Sequence, residues 1–410
     1  MSQPTSNTRL RSARHAAGYR SQQELATALG VGVRQVRRWE SENPPWPHPD
    51  LQQALTELLG QDMESLGFTP PAGRDRPDPV RRSLVGASVA AVGLAAVPMQ
   101  SAVAMQPASV AADFEAVTRS HRRLYWSVAP ATLHPTAVAH AALGCALLTE
   151  TAGQTRRAVA AALAESYLLA ARVEFFDLRD ADRAGKTYLL ALQAAGQADD
   201  PLLGSAILAH CAFIPAWVGE RDAAVERMVA ARTYARRGPA SADLLAWLDA
   251  VEAECETRCG NTRTALHLIG HAEDVLAAGT EHKSPAWLDW FTAVRLAAFK
   301  GNTQLKAGHL PQARTTLLGV LDELPRTEDK QRTVIYGDLA AVEAAAGNPE
   351  AACEYACRAL DQLEVTWYAM GMDRVREVRR ALAPHQHDQC VRDLDERLYG
   401  WATTVSALAR

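Results

Sequence analysis

Aromatic side chains are scarce in this chain: Phe, Trp and Tyr together make up 6% of its 410 residues. A core must therefore be built from Ala, Leu and Val. That balance suits packed helices better than sheets, because Ala and Leu are good helix formers and poor strand formers. Lysine is scarcer still, with 5 Lys against 38 Arg, a mark of GC-rich coding rather than of function. Also missing are a phosphate-cradling Walker loop, a nucleophile elbow and a two-histidine metalloprotease helix. Catalysis has no support in the residues, and no cofactor is implied. The 7 cysteines are odd in number and scattered, with no N-terminal secretory leader. Reduced thiols and a cytoplasmic location are the expectation.

One cluster invites a metal reading, since Cys255, Cys259, His267 and His271 fall within seventeen residues. If Gly260 turns an antiparallel hairpin, His271 lies about 15 Å along the second helix from Cys259, at a rise of ~1.5 Å per residue. One zinc ion, with ligands at ~2.0–2.3 Å, cannot hold both. No metal site is expected.

Charge is unevenly placed. Residues 1–38 carry seven arginines and one acid, Glu24, so this segment is +6 within a chain of net charge −4. A basic head on an acidic body suits a chain that touches a polyanion at one end. Within the head, "SQQELATALGVGVRQVRRWE" runs from Ser21 to Glu40. Ser21 and Glu24 form a capping box that starts a helix at Gln22. Leu25, Ala26 and Leu29 make its buried stripe, Gly30 ends it, and Val31 follows as a plug. A second helix, about Val33 to Glu40, buries Val36 and Trp39 and exposes Arg34, Gln35, Arg37 and Arg38, whose donors suit phosphates and base edges.

The small residue at Ala26, the turn glycine at Gly30 and the branched Val36 resemble the lambda-repressor-like, XRE-family helix-turn-helix. The likeness covers about 7–68, with "NTRLRSARHAAG" as the first helix and "PDLQQALTELLG" and "DMESLGF" as later ones. It implies binding to double-stranded DNA, with Gln22 near a phosphate and Val33, Arg34 and Arg37 facing the major groove. Gly32 and Val33 depart from the family's polar residues, so base specificity does not carry over.

Residues 69–82, "TPPAGRDRPDPVRR", read as an extended linker. The uncharged run from Ser83 to Met105 imitates a twin-arginine signal, but it is Ala/Gly/Ser-rich and broken by Pro98 and Gln100. A Pro-rich linker and apolar connector helix over 69–109 is the favoured reading, and a membrane attachment through 83–105 the alternative.

From 110 onward the pattern is helix after helix, with a period. The turn residues Arg179, Gly219, Gly260, Gly308 and Gly347 are followed five and twelve residues later by Ala184 and Ala191, Ala224 and Ala231, Ala265 and Ala272, Ala313 and Val320, and Ala352 and Ala359. Seven residues before the turn, four of the five have Ala212, Ala253, Gly301 or Ala340. Small residues at these offsets let antiparallel helices approach closely and hairpins stack. The pattern resembles tetratricopeptide (TPR) repeats, in five hairpins across 155–363, flanked by helices over 110–150 and a C-terminal cap over 366–410. The expected fold is all-α, a helix-turn-helix domain at 1–68 followed by a TPR-like α-solenoid at 110–410.

The TPR resemblance implies a concave groove lined by Phe213, Trp217, Trp247, Glu254, Arg258, Arg295 and Asn302. Asn and Arg there would clamp an extended peptide while the aromatics take its side chains. The domain order is similar to the RRNPP-type peptide-pheromone receptors, which implies a homodimeric transcription regulator whose operator binding responds to a short peptide or other small ligand. A TPR scaffold docking a protein partner is the rival.

Overall fold

The computed structural model describes residues 7–41, 44–47, 49–61, 63, 65–68 and 105–408. The chain divides into two compact units, Met1–Gln100 and Ser101–Arg410. Among the described residues every regular element is helical. The linker and the apolar run up to 104 lie outside them.

The described residues of the head form four helices: α1 (Thr8–Ala16), α2 (Gln22–Ala28), α3 (Val33–Trp39) and α4 (Pro49–Leu59). Ser21 Oγ accepts from Glu24 N–H at 3.1 Å, and the Glu24 carboxylate accepts from the backbone N–H of Arg20, one residue before the expected partner. Gly30 takes a φ of 67°, which ends α2 and lets the chain turn into α3. Leu10, Leu25, Val36, Trp39, Leu55 and Leu66 form a closed core, while Leu29 and Val31 are only half-buried. The stretch expected as a last helix at 62–68 is a turn at its described positions 63 and 65–67. Gly67, at a φ of 83°, folds the chain back so that Phe68 N–H bonds the Met63 carbonyl. A side chain at 67 would also meet Asn7 Oδ1 at 2.3 Å. Asn7 ties the head together, donating to the Trp39 and Leu66 carbonyls and capping Leu10.

The second unit opens with α5 (Ser109–Leu124) and α6 (Pro130–Thr149). Of the described helices, α6 is long and apolar enough to cross a membrane; here its Leu133, Ala137 and Ala141 are buried in the protein. Five hairpins follow: α7 (Gly153–Arg172) with α8 (Ala181–Ala198), α9 (Pro201–Trp217) with α10 (Arg221–Ala235), and α11 (Ala242–Arg258) with α12 (Thr262–Ala278). Then come α13 (Ala293–Lys306) with α14 (Leu310–Glu323), and α15 (Asp329–Ala345) with α16 (Pro349–Val365). Helices α17 (Ala369–Ala381) and α18 (Gln389–Leu408) end the chain.

All five turn residues adopt positive φ, from 61° at Arg179 to 83° at Gly260. Each small residue of the repeat pattern is buried between helices. Gly301 shows why size matters there, because a Cβ would lie 2.5 Å from Leu317 Cδ2. Two irregularities interrupt the repeat. A π-helical stretch, Val173–Asp177, precedes the Arg179 turn. A longer connection between α12 and α13 contains a 3-10 turn, Ala286–Leu288, and buries Trp287, Leu288 and Phe291.

The array does not stay open. Helix α17 packs on α15 and on the π-helical stretch beside the first hairpin. Arg179 pairs with Asp373, Lys330 with Asp177, and Thr366 Oγ1 donates to the Ser127 carbonyl at 3.1 Å. The concave groove expected from the repeat is thereby a walled cavity. The reason is long-range: the last hairpin and the cap carry charges complementary to those at the start of the array.

Candidate functional site

The first helix of every hairpin contributes to this cavity, which encloses about 130 Å³. Six of the seven residues expected on a groove line it together: Phe213, Trp217, Trp247, Glu254, Arg295 and Asn302. Arg258 does not. It lies over the Trp217 ring at 3.7 Å and lines an adjoining pocket of about 320 Å³.

One side of the cavity is aromatic. Phe213 and Trp217 meet edge to face at 5.6 Å, and Phe176 packs on both. Trp247 and Trp290 meet at 6.4 Å, and Trp290 continues to Trp126 at 5.7 Å. Four of the chain's 9 tryptophans thus face one small space, in a chain otherwise poor in aromatics. Such walls bind flat apolar groups by area and by ring electrostatics.

The polar side is mostly self-neutralised. Glu254 accepts from Asn302 Nδ2 at 2.8 Å and from Arg258 Nε at 3.0 Å. Arg374 Nε lies 3.0 Å from Asp338 Oδ1. Burial pushes the Asp338 carboxyl up, against the pull of Arg374. Arg295 pairs with Glu328 and lies 3.9 Å over the Trp126 ring, and burial brings its guanidinium down to about 10. His210 Nδ1 donates to the Ala206 carbonyl at 2.8 Å, which leaves Nε2 as an acceptor. Burial, aided by Arg172, takes this imidazole down to about 3, so it is neutral at physiological pH.

Several wall residues lay outside the sequence reading: Trp126, Arg172, His210, Trp290, Asp338 and Arg374. One of them left a trace in the repeat. Arg172 stands seven residues before the Arg179 turn, where the other four hairpins have Ala or Gly.

In the head, Arg34, Arg37 and Arg38 are exposed along α3, and Gln35 is half-buried. Val33 packs against the head's core rather than standing clear of it. Gln22 donates to Glu40 Oε2 at 2.6 Å, and Glu40 also takes the buried Arg14 Nε at 2.7 Å. Gln22 and Val33 therefore brace α2 and α3 within the head. Among the described residues no three His, Cys, Asp or Glu side chains gather as metal ligands, and His271 is engaged by Asp249 at 2.7 Å.

No family model and no curated protein matches the chain.

Proposed function

We propose that this protein is a DNA-binding transcription regulator whose helical-repeat body senses a small ligand. In this reading the head is an XRE-like helix-turn-helix. Its helix α3 enters the major groove, with Arg34, Gln35, Arg37 and Arg38 toward bases and phosphates. The observation that carries the reading is the row of three exposed arginines on a helix braced from behind by Val36 and Trp39, within a segment of charge +6. Cations held outward on a rigid helix are what phosphate positioning requires.

One small head buries too little surface to bind tightly alone, so a homodimer on a two-fold-related site is part of the proposal. The TPR-like body would then act by differential affinity: ligand favours one dimer geometry, and operator binding follows. Its closed wall supports a compact ligand better than the extended peptide of an open groove.

The test is fluorescence anisotropy of the full chain with random-sequence duplexes across a salt series. Binding should weaken steeply with salt, and R37A should lower the salt slope by about 1. No binding to any duplex in dilute salt, or R34A/R37A behaving as wild type, would overturn the reading.

A further inference from the structure

Arg172 is buried, at 9% exposure, in the wall of the body's cavity. Its guanidinium lies over three rings, at 4.5 Å from Tyr125, 5.6 Å from Trp126 and 5.2 Å from Trp290. Among the described residues its Nε has no hydrogen-bond partner, and no carboxylate stands within ion-pair distance of it. The nearby acids pair elsewhere: Asp177 with Lys330, Glu174 with His134 and Arg183 through Oε1 alone, its buried Oε2 lacking a donor among the described residues, and Glu328 with Arg295. Of the cavity's three arginines, Arg295 and Arg374 have carboxylate partners and Arg172 has none among the described residues. Arginine cannot shed its proton to escape burial, so an unmatched guanidinium in such a wall calls for an anion.

Two further observations point the same way. Asn302 Oδ1, also buried in this wall, has no donor among the described residues. The adjoining pocket, which shares Trp217, Met370 and Arg374 with the cavity, is lined by five arginines. Arg179, Arg258, Arg374 and Arg376 have carboxylate partners, so among the described residues Arg380 is left to make the mouth mildly cationic. On its far side Arg172 borders only a void of about 30 Å³, room for a water or two.

From this geometry we infer that the cavity binds a small planar aromatic anion, a carboxylate or phosphate, with its charged group on Arg172. The ring lies among Trp126, Trp290 and Trp247, and an N–H or O–H of the ligand meets Asn302 Oδ1. This inference deepens the sensing role proposed above and names the class of signal. Planar guanidinium donors match carboxylate and phosphate oxygens in pairs.

The experiment is calorimetric titration of the full chain, without DNA, with indole-3-acetate, 4-hydroxybenzoate and phenyl phosphate. Indole-3-acetamide and 4-hydroxybenzamide serve as neutral counterparts. At least one anion should bind, and its neutral counterpart on the order of ten- to a hundredfold more weakly, the weight of a charge-assisted hydrogen bond. Carboxylate and phosphate arms distinguish the two head groups. R172M should lose the anion's advantage, and R172K should keep part of it, with circular dichroism confirming that each variant folds. If R172M fails to fold, the R172K change and the acid-to-amide contrast on wild type decide. No anion binding at millimolar concentration, or amides binding as tightly as acids, overturns the inference. Because DNA is absent, either outcome leaves the operator-binding test independent.

Discussion

Lys330 Nζ lies 2.6 Å from Asp177 Oδ1, and neither side chain exposes any surface. The two belong to opposite ends of the array, one on α15 and the other at the end of the π-helical stretch. Burial pushes the Lys330 ammonium down and the Asp177 carboxyl up, and each is held charged chiefly by the other. The Tyr125 ring, 4.1 Å from Nζ, adds its face to the ammonium's surroundings.

K330M should therefore leave a buried carboxylate without its nearest counter-charge and cost about 3–5 kcal/mol, read from denaturant midpoints at constant m-value. The double variant K330M/D177L should recover most of that loss, since apolar pairs replace buried ion pairs at little cost. A K330M chain as stable as wild type would remove the pair from the account of closure.

The neighbouring Arg179–Asp373 contact should behave differently. Its side chains are 29% and 41% exposed, so solvent screens the pair, and D373A should cost less than about 1 kcal/mol. Its effect should appear instead as faster hydrogen exchange at the start of α17, where local opening is cheapest.

Gly301 supplies a steric test of the repeat. G301A would press a methyl group against Leu317 and should cost about 1–3 kcal/mol through overpacking. Adding L317V should return part of it. An Ala at Gly270, where a Cβ meets nothing within 4 Å, should be neutral or slightly stabilising through helix propensity.

Stability should also depend on pH through Glu165. Burial pushes its carboxyl up to about 7, despite Arg122 at 2.6 Å. The folded value exceeds the ordinary 4.5, so the folded state holds this proton more tightly between the two values. Its contribution is thus fully present below 4.5 and is lost as pH rises through about 7. Melting temperature should fall across that window, and E165Q should flatten the slope. Glu40 runs the other way: burial raises its carboxyl, but the bonds from Arg14 and Gln22 outweigh this and lower it. The head should lose that support as pH drops below the ordinary carboxylate range.

The repeat was legible because its requirements are local and steric. A turn at positive φ asks for glycine, and a close helix crossing asks for Ala or Gly, so both leave marks at fixed spacings. The groove residues followed from the same register, and six of seven do converge on one space. Closure was not legible, because Lys330 and Asp177 meet through the summed curvature of five hairpins, which no window of sequence contains. Trp126 and Trp290 were missed for a related reason: they sit in connections outside the repeat. Arg172 was visible only as an exception to a pattern of small residues. Local rules broken without local cause are where function tends to lie.

An open stack of hairpins can gain or shed a unit and merely lengthen or shorten. Here the last inner helices must reach back to the first hairpin's π-helical stretch, so circumference is fixed by unit number. Inserting or deleting one hairpin would carry α15 and α17 past their seats and strand Asp177 and Lys330 alike. Copy number, which other repeat arrays vary freely, is in this body a dimension of the chamber itself.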